Sequence, residues 1–123
     1  MHISFDPRQG LIVARAELWG PTASGVLRLA LDTGATSTVV SMGMLVAIGY
    51  DPALAADRVQ VTTGSGIEFA PHVILEKVVA LGRARLGFPV LARTLPPSAG
   101  VDGLLGLDFF RGQNLTIDFR GGK

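Results

Sequence analysis

The chain contains no cysteine, and that absence excludes several kinds of chemistry at once. Without cysteine there is no disulfide framework, no thiol nucleophile and no cysteine-based metal site. The two histidines, His2 and His72, do not have the spacing of metal ligands either. We therefore predict a protein that uses neither a metal nor another cofactor.

Charged residues are scarce as well, at 17% of the 123 residues, and the net charge is only +1. The basic residues are scattered along the chain, so the sequence has no basic patch of the kind that binds nucleic acid. A low charged fraction also leaves less solubilising surface than usual. The composition therefore favours a subunit that buries surface against a partner and does not bind nucleic acid.

Long apolar runs are also missing from this sequence. No segment approaches the roughly 18 apolar residues that a membrane helix needs. Residues 1–7 have neither the basic start nor the apolar length of a signal peptide. We expect a cytoplasmic protein without a membrane segment, and the same pattern would fit the soluble part of a longer protein.

Glycine and proline, by contrast, are frequent, with 16 and 7 residues. The apolar segments between them are short, a pattern typical of a mainly β domain with many short strands. A chain of this length forms one domain, which we place at residues 1–123. We predict a first strand of about eight residues that ends near Trp19 and a short helix over 42–48 that Ser41 caps. Helical turns are expected over 107–111, and strands near residues 26–31, 36–40, 58–62, 67–70, 73–81, 83–88, 90–92 and 115–119.

One of these strands ends on a carboxylate. The apolar segment 26–31 leads directly into Asp32, which Thr33 and Gly34 follow. An unpaired carboxylate is expensive to desolvate, so its position at the end of a buried strand requires an explanation. Gly34 would allow the backbone to approach that carboxylate closely. By themselves these residues also fit an ordinary turn, because Asp and Gly are frequent in turns.

Three other segments follow Asp32 in the sequence. They are a glycine-rich candidate hairpin over 61–67, a second glycine turn at Leu104-Leu105-Gly106, and the alternating segment 115–119. Together with Asp32-Thr33-Gly34-Ala35, these segments resemble, in the same order, the retropepsin-like aspartic proteases, the single-domain relatives of retroviral protease. The resemblance extends from about residue 12 to residue 119.

The resemblance implies a mainly β, closed barrel-like fold with one or two short helices that is active as a symmetric homodimer. Since the chain has a single Asp-Thr-Gly, each subunit would contribute one catalytic Asp32 to a pair. Segment 115–119 would join the N-terminal residues in a sheet between the subunits. The remaining functional residues would form three groups: an active-site loop supported by Thr33, Gly34 and Ala35, a substrate-covering flap of Thr62, Thr63, Gly64, Ser65 and Gly66, and a structural support of Leu104, Leu105 and Gly106.

The implied function is that of an aspartic endopeptidase that hydrolyses extended peptide or protein substrates, with the paired carboxylates activating water. One alternative is a binding or assembly domain of the same fold without proteolysis, and another is a small β-barrel unrelated to proteases. Asp102 and Asp108 lie near the second glycine turn, and either could be a partner for Asp32 within one chain. We instead interpret Asp102 as a turn residue and Asp108 as a residue that favours the beginning of a helix.

Overall fold

The computed structural model describes residues 3–54, 58–64 and 66–123. These residues form a mainly β domain with one α-helix, α1 (Met42–Ala47), and three short 3-10 helices, Pro52–Leu54, Pro97–Ala99 and Leu107–Phe110. The strands are β1 (Val13–Trp19), β2 (Ser24–Leu31), β3 (Val39–Ser41), β4 (Arg58–Thr63), β5 (Gly66–Ala80), β6 (Arg83–Arg93) and β7 (Gly103–Leu105). Within the described residues, no helix has the length and hydrophobicity that crossing a membrane would require.

Six of the strands close into a barrel. Their order is β1-β2-β7-β3-β6-β5, and a pairing between β1 and β5 completes the ring. The pairs β2–β7 and β3–β6 are parallel, and the other pairs in the ring are antiparallel. Strand β4 pairs only with the first part of β5, so these two form a hairpin that extends beyond the barrel. This closed β fold confirms the predicted fold class.

The barrel is filled by alternate side chains of its strands, as the sequence pattern predicted. In β1 the inward residues are Ala14, Ala16 and Leu18, and each is buried. Leu18, Leu29 and Leu105 have no exposed surface at all. Burial of a side chain of this size stabilises the fold by about 1.5–3 kcal/mol.

Two pairs of predicted strands are in fact single strands. The predicted segments 67–70 and 73–81 belong to β5, which changes its partner from β4 to β6 just after Pro71. The predicted segments 83–88 and 90–92 belong to β6, where Pro89 precedes the part that pairs with β3. A proline lacks an N–H donor, and it is tolerated where one side of the strand has no neighbour to accept from it. The sequence prediction ended a strand at each proline because the partner strands are not apparent from the sequence.

The predicted helix is confirmed. Ser41 Oγ accepts a hydrogen bond from Met44 N at 3.2 Å, which is the N-cap interaction, and α1 ends one residue before the predicted end. Gly49 follows with a φ of +105°, a conformation that favours glycine, and ends the helix. The third strand is shorter than predicted, since residues 36–38 belong to the loop that precedes it.

The prediction of a strand over 115–119 is wrong for the single chain. Asp118 Oδ1 accepts hydrogen bonds from Arg120 N and Gly121 N, and the last residues turn back on Asp118. The Phe119 ring packs edge-on against the Phe5 ring, with 5.7 Å between the centroids. The segment has the alternation of a strand, but a strand also needs a neighbour to pair with. Among the described residues of one chain, none pairs with it.

Candidate active site

Asp32 directly follows the carboxyl end of β2. Leu31 pairs with Leu105 in the parallel β2–β7 ladder, and Asp32 N continues the ladder by donating to Leu105 O at 3.0 Å. On the other side, Leu31 N donates to Ile12 O at 2.8 Å. Two neighbouring segments therefore fix the backbone that carries the carboxylate, and Asp32 itself is half-buried.

The carboxylate is held on one side by its own loop. Gly34 N donates to Asp32 Oδ1 at 2.9 Å, and Ala35 N donates to Asp32 O at 3.2 Å. A Cβ atom added to Gly34 would lie 3.2 Å from Asp32 Oδ1, so a side chain there would crowd the carboxylate. Among the described residues, no partner is found for Asp32 Oδ2, and Thr33 and Gly34 are exposed. The predicted close approach of the Gly34 backbone to the carboxylate is thus confirmed.

The Asp32 loop (residues 32–38) rests on the Gly106 turn (residues 105–107). Leu107 N donates to Ala35 O at 2.8 Å. A Cβ atom at Gly106 would lie 2.7 Å from Ser37 C and 2.9 Å from Ala35 O, distances that atoms in proteins do not tolerate. Glycine is therefore required at residue 106 because two backbones pass each other without room for a side chain.

Thr38 and Asp108 join the two turns, and the sequence analysis did not identify this pair. Asp108 Oδ1 accepts hydrogen bonds from Thr38 Oγ1 at 2.7 Å and from Thr38 N at 3.0 Å. Thr38 Oγ1 in turn accepts a hydrogen bond from Gly106 N at 3.1 Å. Thr38 is only 2% exposed, so these hydrogen bonds are shielded from water. In the sequence Thr38 is indistinguishable from other β-branched strand residues, and only the position of Asp108 two residues after Gly106 hinted at a special role.

The two other candidate carboxylates are therefore engaged elsewhere. Both oxygens of Asp108 accept from Thr38 N, and Asp102 Oδ2 accepts from Arg28 N at 2.9 Å. The main chain of Asp102 also bonds to Arg28 and Ser41, which fixes the bend before β7. Among the described residues, Asp32 is thus the one available carboxylate of these three.

The residues predicted to support the site lie directly beneath it. Leu105 is fully buried in the barrel core. Leu104 is partly buried and packs against a small apolar cluster of Val39, Ala70 and Leu91, to which Val61 of the hairpin also contributes. Leu104 directly precedes Leu105, whose carbonyl oxygen accepts from Asp32 N.

The predicted flap coincides with the β4–β5 hairpin. Thr62 pairs with Ile67 and Thr63 pairs with Gly66 next to the tip, where Gly64 is exposed. Ser65 lies outside the described residues. Gly66 has a φ of +133°, which favours glycine at this position.

The two faces of this hairpin differ in their contacts. Val61 and Ala70 face the barrel and belong to the apolar cluster, and Glu68 on the same face forms an ion pair with Arg93 at 3.0 Å. Ile67 and Phe69 on the other face are 61% and 64% exposed. The hairpin is therefore attached by one face to β3, β6 and β7 of the barrel.

A cavity lies beside the terminal segments, and Asp32 is not among its lining residues. It measures about 500 Å³ and lies between the two terminal segments and the barrel, where Phe5, Ile12, Leu115 and Ile117 contribute to its lining. In the part of the chain that the structure describes, no group of His, Asp and Glu side chains is suited to hold a metal ion.

A closed barrel with an Asp-Thr-Gly loop at the end of one strand and a glycine turn beneath it is the architecture of a retropepsin-like aspartic protease. The model of the family described as "gag-polyprotein putative aspartyl protease" matches residues 25–112, a range that includes the Asp32 loop, the β4–β5 hairpin and the Gly106 turn. The chain belongs to this family, and the resemblance inferred from the sequence is confirmed.

Two solved structures share the fold. The retropepsin-like aspartic protease from Rickettsia conorii aligns with a TM-score of 0.72 at 19% identity, over 94% of this chain and 82% of that one. The EIAV protease, solved in complex with the inhibitor HBY-793, aligns with a TM-score of 0.64 at 16% identity, over 93% of this chain and 99% of that one. Identities this low establish the fold alone. No match to the sequence is found among curated proteins.

Proposed function

We propose that this protein is an aspartic endopeptidase whose active site forms when two copies of the chain meet with their Asp32 carboxylates side by side. The observation that carries the proposal is the state of Asp32. One of its oxygens is held by Gly34 N, the other has no partner among the described residues, and the nearby acidic residues Asp102 and Asp108 are engaged elsewhere. Membership of a protease family supports the same conclusion.

Two carboxylates side by side would supply both the general base and the general acid that the reaction needs. Like charges so close cannot both ionise readily, so the pair shares a proton, an arrangement for which aspartic proteases are the established example. The ionised carboxylate removes a proton from water as the water oxygen attacks the peptide carbonyl carbon. The protonated one donates to the carbonyl oxygen, and a proton then passes to the leaving nitrogen as the C–N bond breaks.

The neighbouring residues have supporting roles in this proposal. Gly34 N orients the Asp32 carboxylate by donating to it, and Thr33 at the exposed side of the loop contacts the same loop of the partner. Ala35 connects the loop to the Gly106 turn through its carbonyl oxygen. Leu104, Leu105 and Gly106 support the loop from beneath.

The hairpin tip is proposed to cover the substrate. Thr62, Thr63, Gly64, Ser65 and Gly66 would close over an extended peptide and exclude water from the carboxylates. The apolar cluster beneath the hairpin favours peptides with apolar side chains near the cleaved bond.

Several observations favour a partner of the same sequence. Among the described residues the site holds one available carboxylate where the chemistry needs two, and a two-fold axis through the site would provide the second. Segment 115–119 alternates like a strand but has no neighbour in the described part of one chain. Exposed apolar side chains, among them Ile3 and Phe119, lie on the terminal segments.

The test is cleavage of a mixed peptide library by the wild type and Asp32→Asn, between about pH 3 and pH 8 and at several protein concentrations. Asp51→Asn is the matched control, because Asp51 is an exposed aspartate whose carboxylate accepts from Ala53 N in its own turn. We expect cleavage by the wild type and by Asp51→Asn, none by Asp32→Asn, and a specific activity that increases with concentration. The pH profile should be bell-shaped, with limbs that belong to the pair of carboxylates.

Other outcomes would contradict the proposal. Absence of cleavage by a wild type that light scattering shows to be dimeric would indicate a binding or assembly domain. Equal cleavage by the wild type and Asp32→Asn would show that the activity does not depend on Asp32.

A further inference from the structure

Arg85 of β6 makes an unusual set of contacts for a half-buried cation. Its Nη2 donates to Phe109 O at 2.7 Å and to Arg111 O at 3.0 Å, and its guanidinium carbon lies 5.7 Å from the centre of the Phe109 ring. Its Nε is buried and has no hydrogen-bond partner among the described residues. Within the described residues, neither of the ion pairs that form involves Arg85. The charge is thus held by main-chain carbonyls and an aromatic ring, with no acidic counterpart.

These carbonyls belong to the end of the Leu107–Phe110 helix. The last carbonyls of a helix have no partner within it and must be satisfied from outside. A planar guanidinium suits this task because one nitrogen group can reach two acceptors in a fixed geometry. Gln113 Nε2 also donates to Phe109 O, at the longer distance of 3.3 Å. Arg85 is therefore the principal side chain that closes this end of the helix.

The other end of the same helix holds the Asp32 loop. Leu107 N donates to Ala35 O at 2.8 Å, and Asp108 accepts from both N and Oγ1 of Thr38. The helix has only four residues, and a single turn of helix has little stability of its own. Its position therefore depends on what is bound at its two ends.

We propose that Arg85 is a positioning residue for the reaction at Asp32. It fixes the carboxyl end of the Leu107–Phe110 helix, and through Leu107 and Asp108 this helix fixes the loop that carries the catalytic carboxylate. Arg85 itself touches neither substrate nor the reacting atoms. The inference rests on the proposed protease function. Arg85 lies on β6, three strands away around the barrel from β2, which leads to Asp32.

The test compares Arg85→Ala and Arg85→Lys with the control Arg83→Ala. Arg83 is an exposed arginine two residues earlier on β6, and its side chain forms no hydrogen bond or ion pair among the described residues. Activity is measured on a fluorogenic peptide taken from the library experiment, per active site titrated with a peptide that carries a hydroxyl in place of the scissile carbonyl.

We expect kcat of Arg85→Ala to fall by about tenfold or more with little change in KM, because a small displacement of a catalytic group has effects of this size. Added guanidinium ion at low millimolar concentration should restore part of that activity by occupying the vacated place. Arg85→Lys, which can satisfy one carbonyl, should be intermediate, and Arg83→Ala should match the wild type. An Arg85→Ala protein that is partly unfolded but has an unchanged kcat per titrated site would overturn the proposal.

Amide hydrogen exchange gives a second readout that does not need activity. Loosening of the helix should accelerate exchange at Leu107 and Thr38 in Arg85→Ala and leave the β1 amides unchanged. If the wild type hydrolyses no peptide, the proposed function fails, and the exchange rates still decide whether Arg85 holds the loop. Unchanged exchange at Leu107 and Thr38 in a folded Arg85→Ala protein would contradict the inference.

Discussion

The Asp32 loop and the Gly106 turn have the same local plan and opposite outcomes. Each follows the end of an apolar strand, and the two strands lie side by side with Leu31 opposite Leu105. Each contains a glycine and has an aspartate two residues from it: Asp32 precedes Gly34, and Asp108 follows Gly106. Yet the Asp32 carboxylate keeps one oxygen without a partner among the described residues, whereas both oxygens of Asp108 accept from Thr38.

This difference shows how one barrel separates an available carboxylate from a structural one. The bonds from N and Oγ1 of Thr38 engage both oxygens of Asp108, and they hold the turn that supports Asp32. A carboxylate with free acceptor capacity beside exposed residues can instead meet water and substrate. The Gly106 turn is thus the support, and the Asp32 loop is the proposed site of chemistry.

The largest expected effects come from exchanging the two carboxylates for amides. Asp32→Asn should reduce kcat/KM by more than about 10³-fold, as expected for loss of general acid–base catalysis, with little loss of stability. Asp108→Asn should retain far more activity per folded molecule but lower the free energy of unfolding by about 1.5–3 kcal/mol, because bonds to a charged acceptor are weakened. Peptide hydrolysis and urea unfolding of both variants measure the difference. A folded Asp108→Asn protein as inactive as Asp32→Asn would break the comparison.

Substitution of each glycine by alanine should have different effects on stability and activity in the two turns. Gly106→Ala should lower the free energy of unfolding by about 1–3 kcal/mol or more, since its Cβ would overlap the backbone of Ser37. Gly34→Ala should affect activity more than stability, because its Cβ would meet only the Asp32 carboxylate. Gly43→Ala in α1 is the control, since its Cβ would meet nothing within 4 Å and should be neutral or stabilising. Equal unfolding midpoints for Gly106→Ala and Gly43→Ala would show that the crossing at Gly106 is not tight.

The link between the two turns is tested at Thr38. Thr38→Val keeps the shape of the side chain but removes the hydroxyl that donates to Asp108 and accepts from Gly106 N. We expect a loss of about 1–3 kcal/mol in the free energy of unfolding, because a buried donor is left without a partner. Thr36→Val, at an exposed residue of the same loop, should change stability by far less. Thermal or urea unfolding of both variants decides between them, and equal effects would place the stabilising bonds elsewhere.

The smallest expected effect lies outside both turns. The Glu68–Arg93 ion pair attaches the hairpin to the barrel, and both side chains are partly exposed. A double-mutant cycle with Glu68→Gln and Arg93→Gln should give a coupling energy of at most about 1 kcal/mol that decreases with added salt. A coupling energy larger than the loss in the free energy of unfolding for Thr38→Val would mean that the hairpin attachment, and not the Gly106 turn, dominates the stability around the site.

The sequence predicted the parts of this protein that depend on local pattern. The alternation of β1, the Ser41 cap of α1 and the position of Asp32 in a glycine loop were all correct, because each depends on neighbours in the chain. The continuity of β5 past Pro71 could not be predicted, since it depends on which strand lies beside each half of β5. The strand over 115–119 was predicted from its alternation, but the described part of a single chain has no strand to pair with it.

The amino-acid sequence by itself determined where apolar strands end in glycine turns, and that a single Asp-Thr-Gly is present. Only the tertiary structure decided which carboxylate stays available. Thr38 lies 70 residues from Asp108 and 68 residues from Gly106 in the chain, and the antiparallel pairing of β3 with β7 brings them within hydrogen-bond distance. A local pattern determines what a residue can bond to, whereas the closed sheet determines what it meets.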